Sequence, residues 1–169
     1  MSQTDVAVSK SPVKGMIADA MEGMDIRSFA NTDTINLDFG YMVALGADDA
    51  GAIAPATSGA KMLGINTYAA TFDPGPFGLL VQTGSNPGLK PGAALNVMAR
   101  GRIWVAVEEA VNAEDQAYVR YASGAGGTIL GAFRKSADTS TAVAVKGKYK
   151  TSQATPGGLA ILEFNAEVF

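Results

Sequence analysis

Over residues 1–36 the apolar side chains stand singly. Val6, Val8, Val13, Met16, Ile17, Ile26 and Phe29 are separated by Ser, Thr, Asn, Asp and Gly, and Pro12 and Gly15 break the run. Neither the alternation of a strand nor the periodicity of a helix persists. This stretch therefore predicts an extended N-terminal arm with one or two short strands. Residues 17–22 have the length of a helical turn, but Gly15 and Gly23 bracket them. From Leu37 the pattern changes to short apolar runs divided by turn residues. Residues 39–45, 61–65, 67–72, 77–82, 94–98, 102–107, 117–121, 129–133, 141–145 and 159–164 each read as a strand. Between them lie loop signals such as Asp73-Pro74-Gly75-Pro76 and the Gly/Pro-rich stretch 84–92. Ala94–Met98 and Arg102–Val107 read as a β pair around Gly101, with Ile103, Val105 and Val107 on one face and Trp104 on the other. Strands at intervals of about ten residues, separated by glycine turns, predict an all-β fold, a single β-barrel or β-sandwich over residues 37–169.

Composition agrees with one domain, since 169 residues lie within the usual size of a single core. Charged residues make up only 17%, against about 25% in ordinary soluble domains. Glycine accounts for 20 of the 169 residues. Few charges and many small residues fit either a turn-rich β fold or a surface partly buried against partners. The net charge of −3 and the pI of about 4.9 leave no basic stripe to neutralise phosphates, so nucleic acid is not an expected partner. No run approaches the 18 or so apolar residues of a membrane span. The first ten residues lack the basic-then-apolar order of a signal peptide, which predicts synthesis and folding in a cytoplasm.

The chain has no cysteine and no histidine. Disulfides, thiolate metal sites, Ser-His-Asp catalysis and imidazole metal ligation are thereby excluded within it. Three acidic pairs remain: Asp48-Asp49, Glu108-Glu109 and Glu114-Asp115. Neighbouring residues of a strand point to opposite faces, so no single pair makes the facing carboxylates of a glycosidase. Each reads as solvated charge at a turn or strand end. The glycine-rich stretch 124–127 lacks the Lys-Ser/Thr of a phosphate loop. Lys61, Lys146, Lys148 and Lys150 read as a solvated edge, where lysine discourages unwanted sheet pairing. Trp104, the single tryptophan, is either a core anchor or an interface residue. No catalytic residue, cofactor, metal or small-molecule substrate is expected.

The segment Gly101-Arg102-Ile103-Trp104-Val105-Ala106-Val107-Glu108-Glu109-Ala110-Val111, followed by Gln116-Ala117-Tyr118-Val119-Arg120, resembles the phage structural cement (capsid decoration) family. So do Gly131-Ala132-Phe133-Arg134-Lys135-Ser136-Ala137-Asp138 and the ending Gly157-Gly158-Leu159-Ala160-Ile161-Leu162-Glu163-Phe164. Where that family commonly has Gly-Asp before the strand at Tyr118, this chain has Asp115-Gln116. The resemblance implies a virion protein on the outer capsid surface that holds neighbouring major capsid protein subunits together, as a homotrimer or, alternatively, a dimer. Within that reading Val6, Val8, Val13, Met16, Ile17, Ile26 and Phe29 of the arm are the candidate capsid or subunit contacts. The alternative is a carbohydrate- or receptor-binding β module. Its support is thin, because aromatic residues are few.

Overall fold

A computed structural model describes residues 12–19, 22–68, 80–81 and 87–166. Among them there is no helix. Twelve strands form the fold: β1 (Ile17–Asp19), β2 (Asp25–Asn31), β3 (Met42–Leu45), β4 (Gly51–Ile53), β5 (Met62–Asn66), β6 (Leu80–Val81), β7 (Gly88–Leu89), β8 (Ala94–Ala106), β9 (Gln116–Arg120), β10 (Phe133–Arg134), β11 (Ala142–Tyr149) and β12 (Leu159–Asn165). Val6 and Val8 lie outside the described residues, as do most of the strands expected over 67–72 and 77–82.

The spine is β8, whose 13 residues are paired along both edges. Its first half joins β2, β4, β3 and β5 in a ring that closes where β5 returns to β8, through Ile65 opposite Met98 and Asn66 opposite Val97. Its second half joins β12, β11, β9 and β10. That second ring closes through a bridge between Val107 and Phe133, where the Glu108 amide donates to the Phe133 carbonyl at 2.9 Å. Two rings sharing one strand explain why so short a chain leaves few sheet edges open.

Each ring has its own core. Leu37, Phe39, Val43, Leu63, Leu95 and Val97 fill the first. Ile103, Val105, Phe133, Tyr149, Leu162 and Phe164 fill the second. The alternation along β8 supplies both, Leu95 and Val97 to one and Ile103 and Val105 to the other. β3 is buried on both faces, Val43 toward the first core and Met42 toward the second, which accounts for its unbroken apolar run.

The expected β pair around Gly101 is instead one continuous strand. Gly101 has a φ of +151° and lies mid-strand, where a Cβ would stand 2.7 Å from Met98 Sδ. Glycine here makes room for a core side chain rather than a turn. The strand expected over 129–133 is likewise reduced to Phe133–Arg134, with residues 129–132 in a turn that leaves Ile129 exposed. Residues 12–36, read as an arm, contribute β1 and β2. β1 pairs β8 irregularly around Ile17 opposite Ile103, and β2 pairs β8 over its whole length and β4 at its end.

Candidate functional site

Backbone hydrogen bonds fasten Gly15 and Met16, just before β1, to β8. The Gly15 amide donates to the Trp104 carbonyl at 2.7 Å, and the Trp104 amide donates to the Met16 carbonyl at 2.9 Å. The Tyr68 amide donates to the Gly15 carbonyl at 2.7 Å. Such close approach requires glycine: Gly15 has a φ of +81°, and a Cβ would lie 2.8 Å from both the Gly40 amide nitrogen and Phe39 Cβ. Of the expected contact residues, Val13, Met16 and Ile26 are exposed at 41%, 39% and 39%. Ile17 packs partly into the second core and Phe29 partly into the first. The sequence reading did not include Met24, which is also exposed, with its Cγ near Gly101. Trp104 is half-buried, between its two expected roles.

A groove of about 480 Å³ opens where the first ring meets the turn before β10. It is lined by Lys14, Ile35, Tyr41, Ile129 and Leu130 among others, with Ile35 and Ile129 exposed. Lys14 is ion-paired to Asp38 and stands 4.9 Å over the Tyr41 ring. Burial pushes the Tyr41 phenol above its ordinary range.

The turn that carries Ile129 is held by an ionic cluster. Arg120, whose side chain is fully buried, donates from Nε to Glu108 Oε1 at 2.8 Å and from Nη2 to Asp138 Oδ2 at 2.7 Å. Its Nη1 donates to the Ala122 carbonyl at 3.1 Å and to Thr141 Oγ1 at 3.0 Å. Arg134 stands 2.8 Å from Asp138 and 3.3 Å from Glu109, and the Gly126 amide donates to Asp138 at 3.2 Å. Asp138, Thr139 and Ser140 have φ values of 45°, 55° and 65°. Three successive non-glycine residues in the left-handed region are unfavourable by roughly 1–2 kcal/mol each, so the cluster offsets strain as well as desolvation.

Glu108 is therefore no solvated strand end, as its place in an acidic pair implied. It is the counter-ion of two buried guanidinium groups. Hydrogen bonding from Arg120 holds the Asp138 carboxyl below its ordinary value of 3.8. A carboxyl so lowered is the opposite of the raised general acid that hydrolysis of a glycoside needs. Among the described residues, no three acidic side chains converge to hold a metal.

The chain matches the family described as structural cement protein (E217 gp24/Pam3 gp6) over residues 3–165. It matches no curated protein. Among solved structures it is similar to a chain of the capsid of Myoviridae phage XM1, with a TM-score of 0.65, 17% identity, and coverage of 99% of this chain and 100% of that one. At that identity the likeness speaks for the fold, and the family match, spanning nearly the whole chain, assigns a structural role in the phage capsid and a place in the virion. The chain belongs to the phage structural cement protein family.

Proposed function

We propose that the protein binds the outer face of an assembled capsid shell and stabilises contacts between neighbouring major capsid protein subunits. The observation that carries this reading is the exposed apolar set, Val13, Met16, Met24 and Ile26, on the N-terminal segment that pairs with β8 of a cement-family fold. Single exposed apolar residues are ordinary, but four within residues 13–26 give this segment apolar surface that a partner could bury. Val6 and Val8 extend the same contact, with the N-terminal arm reaching along a neighbouring subunit. The chain assembles as a homotrimer, a dimer being the alternative. Many copies on one lattice multiply individually modest contacts, because each further contact on the shell is intramolecular.

Co-sedimentation with shells lacking the protein tests this reading. Saturable binding at a fixed ratio to the major capsid protein is expected, weakened when Met16 and Ile26 are changed together to Asp. Absence of sedimentation with shells at any concentration would refute it. Binding unchanged after deletion of residues 2–11 would refute the contact role of Val6 and Val8 alone.

A further inference from the structure

The groove between the first ring and the turn before β10 carries an isoleucine on each side that neither core uses. Ile35 is 41% exposed and Ile129 is 54% exposed. Both stand on fastened backbone. Asn31 Nδ2 donates to the Ile35 carbonyl at 3.0 Å and to the Leu89 carbonyl at 2.8 Å, which ties that loop to β7. In the opposite turn the Ala132 amide donates to the Ile129 carbonyl at 3.2 Å. The Gly131 amide donates to the Arg120 carbonyl at 2.8 Å, and the Met42 amide donates to the Gly131 carbonyl at 3.0 Å. Leu130, which also lines the groove, packs partly against the first core. A preformed hollow of about 480 Å³ with apolar walls suits small apolar side chains of an extended segment, since little ordering is lost on binding.

The chain itself carries such a segment. Residues 1–11 lie outside the described residues, and Lys14, shortly after them, lines the groove. The arm therefore leaves the fold at the groove's rim. Within it Val6 and Val8 flank Ala7, and alternate residues share one face of an extended segment. No glycine precedes Gly15, and Pro12 biases Ser11 toward extended backbone, so this arm is poorly suited to doubling back. An extended arm would hold Val8 roughly 20 Å and Val6 roughly 27 Å from Lys14, farther than a hollow of this volume reaches.

We propose that the groove receives residues 4–8 of a neighbouring copy's arm, with Val6 and Val8 seated between Ile35 and Ile129. Each arm starts at the rim of its own groove. Copies set side by side in a closed ring can therefore exchange arms over a short span, and every groove is filled. The inference rests on the homo-oligomer reading above and names the surface at which neighbouring copies meet.

The chain has no cysteine, so an introduced pair reports this contact without background. The double variant Val6→Cys, Ile129→Cys is oxidised in solution and on shells, and its intact mass and disulfide-linked peptides are read by mass spectrometry. The expected result is a link between positions 6 and 129 in species of two or more chains. Deleting residues 2–11, or changing Ile35 and Ile129 together to Asp, should weaken self-association about tenfold or more. Circular dichroism and thermal melting check that these variants fold. Wild-type protein that is monomeric in solution and on shells would overturn the homo-oligomer reading itself. An oligomer with no link between positions 6 and 129, and with self-association unchanged in the variants, would overturn this inference alone. So would a link within a single chain, which would assign the groove to the protein's own arm. Loss of shell binding by the Ile35 and Ile129 variant with self-association unchanged would overturn it too, and would assign the groove to the shell protein.

Discussion

Among the described residues, Arg120 is the charged side chain withdrawn completely from solvent. Its guanidinium is fully buried and hydrogen-bonded to Glu108, Asp138, Thr141 and the Ala122 carbonyl. Arg120→Ala would leave two carboxylates facing Arg134 alone, in a site shaped for two cations. Removing one partner of a buried ion pair typically destabilises by about 3–5 kcal/mol. In a domain of this size that is a fall of roughly 6–20 °C in melting temperature, which calorimetry would detect. The same cluster gives the protein a contribution to stability that depends on acid pH. Arg120 holds the Asp138 carboxyl below its ordinary value in the folded state. Its stabilising effect is fully present above the unfolded carboxyl range and is lost as pH falls through the lower folded value. Stability from this source should be flat from pH 7 to about 5 and decline below about 4. Asp138→Asn should be less stable at pH 7 and show a shallower acid decline in urea melts. An unchanged acid profile would assign the acid limit to other carboxylates. Little of this was legible beforehand. Glu108 and Glu109 read as a solvated pair because their partners lie 12 and more positions along the chain, and only the return of β9 and β10 to the end of β8 brings them together.

At the scale of the element, the closure of the first ring depends on a residue without a side chain. Gly64 of β5 has a φ of +154°, and a Cβ there would stand 2.2 Å from the Met98 carbonyl oxygen of β8. Backbone cannot yield as a flexible side chain can. Gly64→Ala should therefore loosen the β5–β8 pairing, destabilise the protein by more than 2 kcal/mol or so, and raise amide exchange at Ile65 and Asn66. Exchange at both unchanged from wild type would show that the ring closes without it. The strands β3, β5 and β12 were legible as short apolar runs near glycines, and β9 by its aromatic and β-branched residues. β8 was read as two strands because glycine is also a strong sign of a turn, although inside a strand it equally marks a close approach. What distinguishes the two is whether a core side chain, here Met98, needs the space. β2 has the opposite problem. Its sequence, Asp25 through Asn31, exposes most of one face and shows hardly any alternation, so its pairing partner rather than its own pattern makes it a strand.

For the whole molecule, the shared strand is expected to tie the two cores into one cooperative unit. Leu95 lies in the first core and Leu162 in the second, and each is fully buried. Leu95→Ala and Leu162→Ala should each cost about 2–5 kcal/mol, and each should shift the same single unfolding transition, observed alike by Trp104 fluorescence and far-UV circular dichroism. Two separate transitions would mean that the rings fold independently despite β8. Under the proposed shell-binding role a cooperative body is expected, because strain in the shell would then be carried through the protein rather than absorbed by its unfolding. The family was legible from residues 101–138 and 157–164, where strand residues and part of the ionic cluster lie. Of the residues expected to make contacts, Val13, Met16 and Ile26 are exposed, Ile17 and Phe29 lean into the cores, and Val6 and Val8 lie outside the described residues. The shell-binding account is tested most directly by the heat stability of capsids that lack the protein, measured with and without saturating amounts of it added back. The account predicts a higher disruption temperature that saturates at the same stoichiometry as binding. Shells that bind the protein fully and still break at the same temperature would contradict it.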